Sequence, residues 1–152
     1  MDKIFKIILL VLFFLTTLSA HPHTFIKSRL GIEFENKQIK GVWVNWSFDE
    51  MFSASVIEEA DIDGDGKFND EEIDYLYNNA FINLENYDYF FFIREGKDRH
   101  GAHEVKHFSA KQKDNILYYK FFIPVENNSG QLIFSLIDPT FFCAVNYYQT
   151  NP

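Results

Sequence analysis

The chain has 152 residues, 47% of them hydrophobic and 24% charged, with 18 Phe, 8 Tyr and 2 Trp, a composition that excludes intrinsic disorder and collagen-like repeats. Its single cysteine, Cys143, excludes an intramolecular disulfide and a thiolate metal cluster. Fourteen Lys and Arg against 22 Asp and Glu give a formal net charge of -8, which argues against nucleic acid and anionic membrane surfaces as partners and in favour of cations.

Residues 1–20 carry Lys3 and Lys6, an unbroken apolar run over 7–15, and then Thr16, Thr17, Leu18, Ser19 and Ala20. That is the charged, apolar and small-residue order of a secretory signal peptide. The run is shorter than the roughly 20 apolar residues that a membrane span needs. Cleavage after Ala20 is therefore expected, leaving one domain over residues 21–152 with a net charge of -9, no membrane span and a periplasmic or secreted location. An uncleaved N-terminal anchor is the alternative.

Apolar residues alternate at Ile26, Leu30, Ile32 and Phe34, and again at Val42, Val44, Trp46 and Phe48, with the turn-like Glu35, Asn36 and Lys37 between. This predicts a β-hairpin. Ser47 followed by Glu50 is a capping-box spacing, and Phe52, Val56 and Ala60 then repeat as one stripe of a helix. A second helix is predicted from Asn69 or Asp70, with an apolar face of Ile73, Leu76, Tyr77, Ala80, Phe81 and Leu84. Residues 87–93, 116–123 and 132–137 are apolar or aromatic at successive positions and predict strands covered on both faces. The order implies an α+β domain in which a helix pair, over about 49–84, packs on a mostly antiparallel sheet.

The strongest chemical signal lies between the two helices. Asp61, Asp63 and Asp65 stand at positions 1, 3 and 5 of a twelve-residue loop, with Gly66 at 6, Phe68 at 8 and Glu72 at 12. This is the EF-hand calcium pattern. A hard cation with six to eight oxygen ligands needs a chain that curls around it, so alternate carboxylates point inward and glycine permits the bend. The Lys67 carbonyl supplies a backbone oxygen, Glu72 closes the shell, and Phe68 anchors the loop to the core. The expected cofactor is Ca²⁺, bound statically, because the chain offers no second loop and no Met-rich groove for a sensor to open.

The five histidines fall into two groups. Cleavage after Ala20 would leave His21 with a free α-amine and an imidazole, and His23 adds a second imidazole, a set suited to Ni²⁺, Co²⁺, Cu²⁺ or Zn²⁺. The other reading is a flexible terminus with two solvated histidines. His103 and His107 share a face of a predicted strand, with His100 in the preceding turn, and match no standard metal spacing. Cys143 alternates with Phe141 and Val145, as a buried thiol would. Residues 127–129 form a glycosylation acceptor or an ordinary turn. No nucleophile elbow, phosphate loop or catalytic carboxylate pair is present, so no enzymatic activity is expected.

The start His21-Pro22-His23-Thr24-Phe25-Ile26, the stretch from Trp46 to Ser53, the Asp61–Gly66 segment, the segment from Asn83 to Phe90, and Asp138-Pro139-Thr140-Phe141-Phe142 together resemble a bacterial family usually labelled a domain of unknown function or the periplasmic component of an ABC-type transport system. The resemblance covers nearly all of residues 21–152 in order. It implies a periplasmic protein encoded beside nickel/cobalt-type permeases, and hence a non-catalytic, calcium-binding accessory to a membrane transporter or permease of transition metals. A calcium-stabilised structural or interaction module without a transition-metal role is the alternative.

Overall fold

The structure is a computed structural model that describes residues 22–126 and 130–148. The predicted signal peptide, His21 and the 127–129 acceptor lie outside those residues. The elements, in order, are β1 (Thr24–Glu35), β2 (Gln38–Phe48), α1 (Glu50–Ala60), α2 (Asp70–Asn79), a 3-10 segment (Phe81–Phe90), β3 (Phe91–Glu95), β4 (Asp98–Gly101), β5 (Lys106–Lys113), β6 (Ile116–Pro124), β7 (Leu132–Leu136) and β8 (Cys143–Tyr147). The fold is mixed α and β with mostly antiparallel pairing, as the sequence pattern implies.

The strands form two sheets, β5-β6-β2-β1-β8 and β4-β3-β7. The hairpin pairs Ile26 with Phe48 and Leu30 with Val44. Strand alternation places Ile26, Val42, Val44, Trp46, Leu117, Tyr119 and Phe121 on one buried face of the larger sheet. The helices cover that face. Phe52 of α1 stacks on Phe48 with ring centroids 4.9 Å apart, and Ser53 Oγ accepts from Leu117 N at 3.0 Å. Phe81, which is 1% exposed, meets Phe108 at 4.3 Å and Phe121 at 5.0 Å between centroids. The aromatic abundance is thus largely core, and each such ring buries on the order of 150–250 Å².

Four local expectations are corrected. The α1 cap is Asp49, not Ser47: the Asp49 carboxylate accepts from Phe52 N at 2.9 Å and also from Phe25 N at 2.7 Å, so it ties the helix start to β1. Helix α2 stops at Asn79, before Leu84. Asn78, Asn79 and Asn83 there donate side-chain amides to the carbonyls of Asp74, Tyr75 and Asn79, and this competes with regular helix.

Residues 87–90 belong to the 3-10 segment and not to a strand, because Asp88, Tyr89 and Phe90 all have positive φ. That conformation lets the adjacent Tyr89, Phe90 and Phe91 all be buried, which strand alternation forbids. His100 stands in β4 opposite Ile93, and His103 precedes β5, which opens with a register irregularity that puts His107 at φ 54°. The three histidines therefore share no strand face.

β8 was foreshadowed only by the alternation around Cys143. It runs parallel to β1, pairing Thr24 with Cys143 and Ile26 with Val145, and it brings loop 138–142 against the start of β1.

Candidate functional site

The acidic loop is held by α1 and α2 at its ends and by the sheet at its side. Asn69 caps α2, accepting from Glu72 N at 3.1 Å, while Glu72 Oε2 accepts from Asn69 N at 3.0 Å, a complete capping box. Glu72 is 2% exposed, and its other oxygen accepts from Ile62 N at 2.7 Å and Asp63 N at 3.4 Å. Glu72 thus ties the start of the loop to its end.

The three aspartates curl onto the loop's own amides. Gly66 N donates to Asp61 Oδ2 at 3.1 Å, Asp65 N to Asp63 Oδ1 at 3.1 Å, and Lys67 N to Asp65 Oδ1 at 2.8 Å. Gly64 and Gly66 both take positive φ, 70° and 82°, which a glycine does without strain. One carboxylate oxygen from each of Asp61, Asp63 and Asp65 lies within 4.8 Å of the others. Asp61 Oδ1 is buried without a hydrogen-bond partner. A buried, unpartnered carboxylate oxygen in a group of three clustered carboxylates is costly unless a cation or donor meets it, so the donor set fits a hard oxygen-binding cation. Phe68 packs against the core as expected.

The histidines do not join this cluster. Among the described residues, Asp61, Asp63 and Asp65 are the sole trio of metal-ligating side chains this close together. The His23 ring lies tilted against Phe142, with centroids 5.0 Å apart. His100 and His103 lie 6.4 Å apart between centroids, with His103 Nδ1 3.9 Å from Asp88 Oδ1, whereas His107 packs on Trp43 and Phe122.

A feature that sequence reasoning missed is an apolar cavity of about 610 Å³ between the buried sheet face, the 3-10 segment and loop 138–142. Trp46, Phe48, Phe81, Phe90 and Tyr119 form its walls, with His23, Asp138 and Cys143 as polar points. None of residues 61–72 reaches it. Asp138 holds the mouth together: Oδ1 accepts from Thr140 N and Thr140 Oγ1, each at 2.7 Å, and Oδ2 from Cys143 N at 2.7 Å. Burial alone would push this carboxyl up, but the hydrogen bonds from Thr140 and Cys143 outweigh it and hold the group below the ordinary carboxylate range. Cys143 is raised to about 12 by burial first and by the Asp138 charge second. The Asp138-Pro139-Thr140 run was the available signal, since such residues build tight hydrogen-bonded turns.

An α+β protein with an acidic, helix-flanked loop and a separate apolar cavity is what the fold and these sites define. The chain belongs to the family described as protein of unknown function (DUF1007), which it matches over residues 6–152. It is also similar to an uncharacterized 15.5 kDa protein in the trpE 3' region of Spirochaeta aurantia, at 29% identity over 100 residues, 64% of this chain and 71% of that one. No solved structure matches it.

Proposed function

We propose that this is a calcium-binding protein of the periplasm or cell exterior, an EF-hand embedded in an α+β domain, that serves as a non-catalytic accessory to a transition-metal transporter. The observation that carries the calcium reading is the unpartnered, buried Asp61 Oδ1 in a loop where Asp61, Asp63 and Asp65 each bring a carboxylate oxygen within 4.8 Å of the others. Asp61, Asp63, Asp65, the Lys67 carbonyl and Glu72 would hold the ion. Bound Ca²⁺ would offset part of the repulsion in a loop that carries six acidic residues within 61–72. Its binding energy would then add to folding energy, because the unfolded chain has no such site.

The location rests on the signal-like residues 1–20 and the transport role on the family resemblance. In this reading His21 and His23 take Ni²⁺, Co²⁺, Cu²⁺ or Zn²⁺. The dispersal of His23, His100, His103 and His107 favours a second reading, in which Ca²⁺ orders an interaction module and the histidines bind no metal.

Calorimetric titration with Ca²⁺, and separately with Ni²⁺, Cu²⁺ and Zn²⁺, decides between them. Transition-metal binding that disappears in His21→Ala plus His23→Ala supports the accessory role. Binding that survives the double substitution rejects the N-terminal site, and the absence of any such binding supports the interaction module.

A further inference from the structure

The net charge of -8 is unevenly placed. Residues 49–74 contain eleven carboxylates and one lysine, more than the whole excess, and their helices pack on the buried face of the larger sheet. The opposite face is cationic. One cross-strand row there runs Asn146, Lys27, Ser47, Tyr118 and Lys111. The next runs Arg29, Asn45, Lys120 and Ser109.

These two rows hold four cations and no carboxylate. None of Lys27, Arg29, Lys111 and Lys120 has a carboxylate within 4.0 Å among the described residues, where the ion pairs are those of Lys40, Lys106 and His103. Lys120 Nζ instead lies 4.4 Å from the Trp43 ring centroid and Lys111 Nζ 5.3 Å from that of Tyr118. Acidic groups border the face at its two ends. Glu33 is engaged by Lys40 at 3.2 Å and by Trp43 Nε1 at 2.8 Å, and Asp49 with Glu50 flanks the other end. Between them Lys27, Arg29, Trp43, Tyr118, Lys120 and Tyr148 surround a depression of about 420 Å³. The exposed Phe25 ring, 51% accessible, extends the same face.

We propose that this face docks the protein on an anionic phospholipid surface. Charge complementarity supplies the attraction, and the local sign governs it, because only Asp49 and Glu50 reach the edge of the face, while the carboxylates of residues 58–74 lie a layer away, on the order of the roughly 10 Å over which 0.1 M salt screens. The aromatic rings separate a lipid surface from a soluble polyanion. Trp and Tyr beside Lys and Arg suit the headgroup level of a bilayer, and a sheet five strands wide offers a broad face roughly 20 Å across. Whole-chain charge points away from anionic membranes, whereas its distribution points one face toward them and the cation loop away.

The test is co-sedimentation with vesicles of 30% phosphatidylglycerol in phosphatidylcholine against pure phosphatidylcholine, with and without Ca²⁺, at low and high salt. Each cation near such a surface contributes about a fivefold factor in partitioning. Lys27→Glu plus Lys120→Glu should weaken binding to the anionic vesicles at least 25-fold. Lys37→Glu plus Lys97→Glu, the same charge change in two hairpin turns, should alter it less than about twofold, and an unchanged melting temperature in each variant shows that the fold is kept. Binding that is equal on pure phosphatidylcholine, equal losses in both double variants, or no vesicle binding would overturn the proposal. So would retention of polyglutamate or oligo(dT) by a protein that ignores the vesicles. None of these outcomes depends on whether loop 61–72 binds Ca²⁺.

Discussion

Gln112 Nε2 donates to Asp61 Oδ2 at 2.6 Å across 51 residues of sequence, so the first carboxylate of the acidic loop is fastened to strand β5. This bond and the Gly66 amide occupy one oxygen of Asp61 and leave the other buried without a partner, in a side chain that clusters with Asp63 and Asp65. The sheet thereby fixes the first carboxylate of the acidic loop from the side, in addition to the helices at its two ends.

Gln112→Ala should lower stability by about 1 kcal/mol, the usual net worth of such a bond, and weaken Ca²⁺ binding severalfold while leaving its stoichiometry at one. Denaturant unfolding and calorimetric titration measure the two effects separately.

Glu72 and Asp63 should part company when calcium is withheld. Glu72→Ala removes a buried acceptor for three amides and should cost about 2–4 kcal/mol even in a chelator. Asp63→Asn keeps its side-chain oxygen for Asp65 N, so in chelator it should be neutral or slightly stabilising through reduced repulsion. Chemical denaturation of both variants with and without Ca²⁺ checks this, since only Asp63→Asn should show its loss in the calcium arm alone.

Asp138 supplies a pH signature. Its folded-state carboxyl lies below the ordinary range, so its contribution is fully present above the unfolded value of about 3.9 and is lost as pH falls through the folded value. Asp138→Asn, which keeps one acceptor but no charge, should be less stable than the wild type by about 2–3 kcal/mol near neutrality. The gap should narrow as pH drops below about 4, as unfolding curves at stepped pH would record.

Cys143 should resist alkylation. With its thiol raised to about 12, on the order of one molecule in ten thousand carries a thiolate at pH 8. Iodoacetamide labelling followed by mass spectrometry should find the folded protein unmodified and the urea-unfolded protein fully modified.

Much of the fold was legible because its signals are local. The alternation from Ile26 to Phe48 marks the hairpin, Asn69 and Glu72 mark the start of α2, and the spacing from Asp61 to Glu72 marks the loop. What escaped depends on partners distant in sequence. The aromatic run at 87–93 looks the same whether it alternates in a strand or turns left-handed to bury Tyr89 and Phe90, as it does. The alternation around Cys143 marks β8 but not its parallel pairing with β1, which brings loop 138–142 to the apolar cavity. The gathering of Lys27, Arg29, Lys111 and Lys120 on one face needs the register of four strands. Asp49 and not Ser47 caps the helix because Ser47 still lies within β2, and the Asp49 carboxylate meets both the Phe52 and the Phe25 amides.

The central claim is that loop 61–72 binds Ca²⁺ in the folded protein, and thermal unfolding across a Ca²⁺ titration tests it most directly. With dissociation constants of extracellular sites, about 10⁻⁴ to 10⁻³ M, 10 mM Ca²⁺ should stabilise the fold by about 1.4–2.7 kcal/mol and raise the melting temperature by roughly 5–10 °C, with equal Mg²⁺ doing far less and Asp61→Asn largely abolishing the shift. A melting temperature that stays unchanged at 10 mM Ca²⁺, or rises equally in Asp61→Asn, would contradict it.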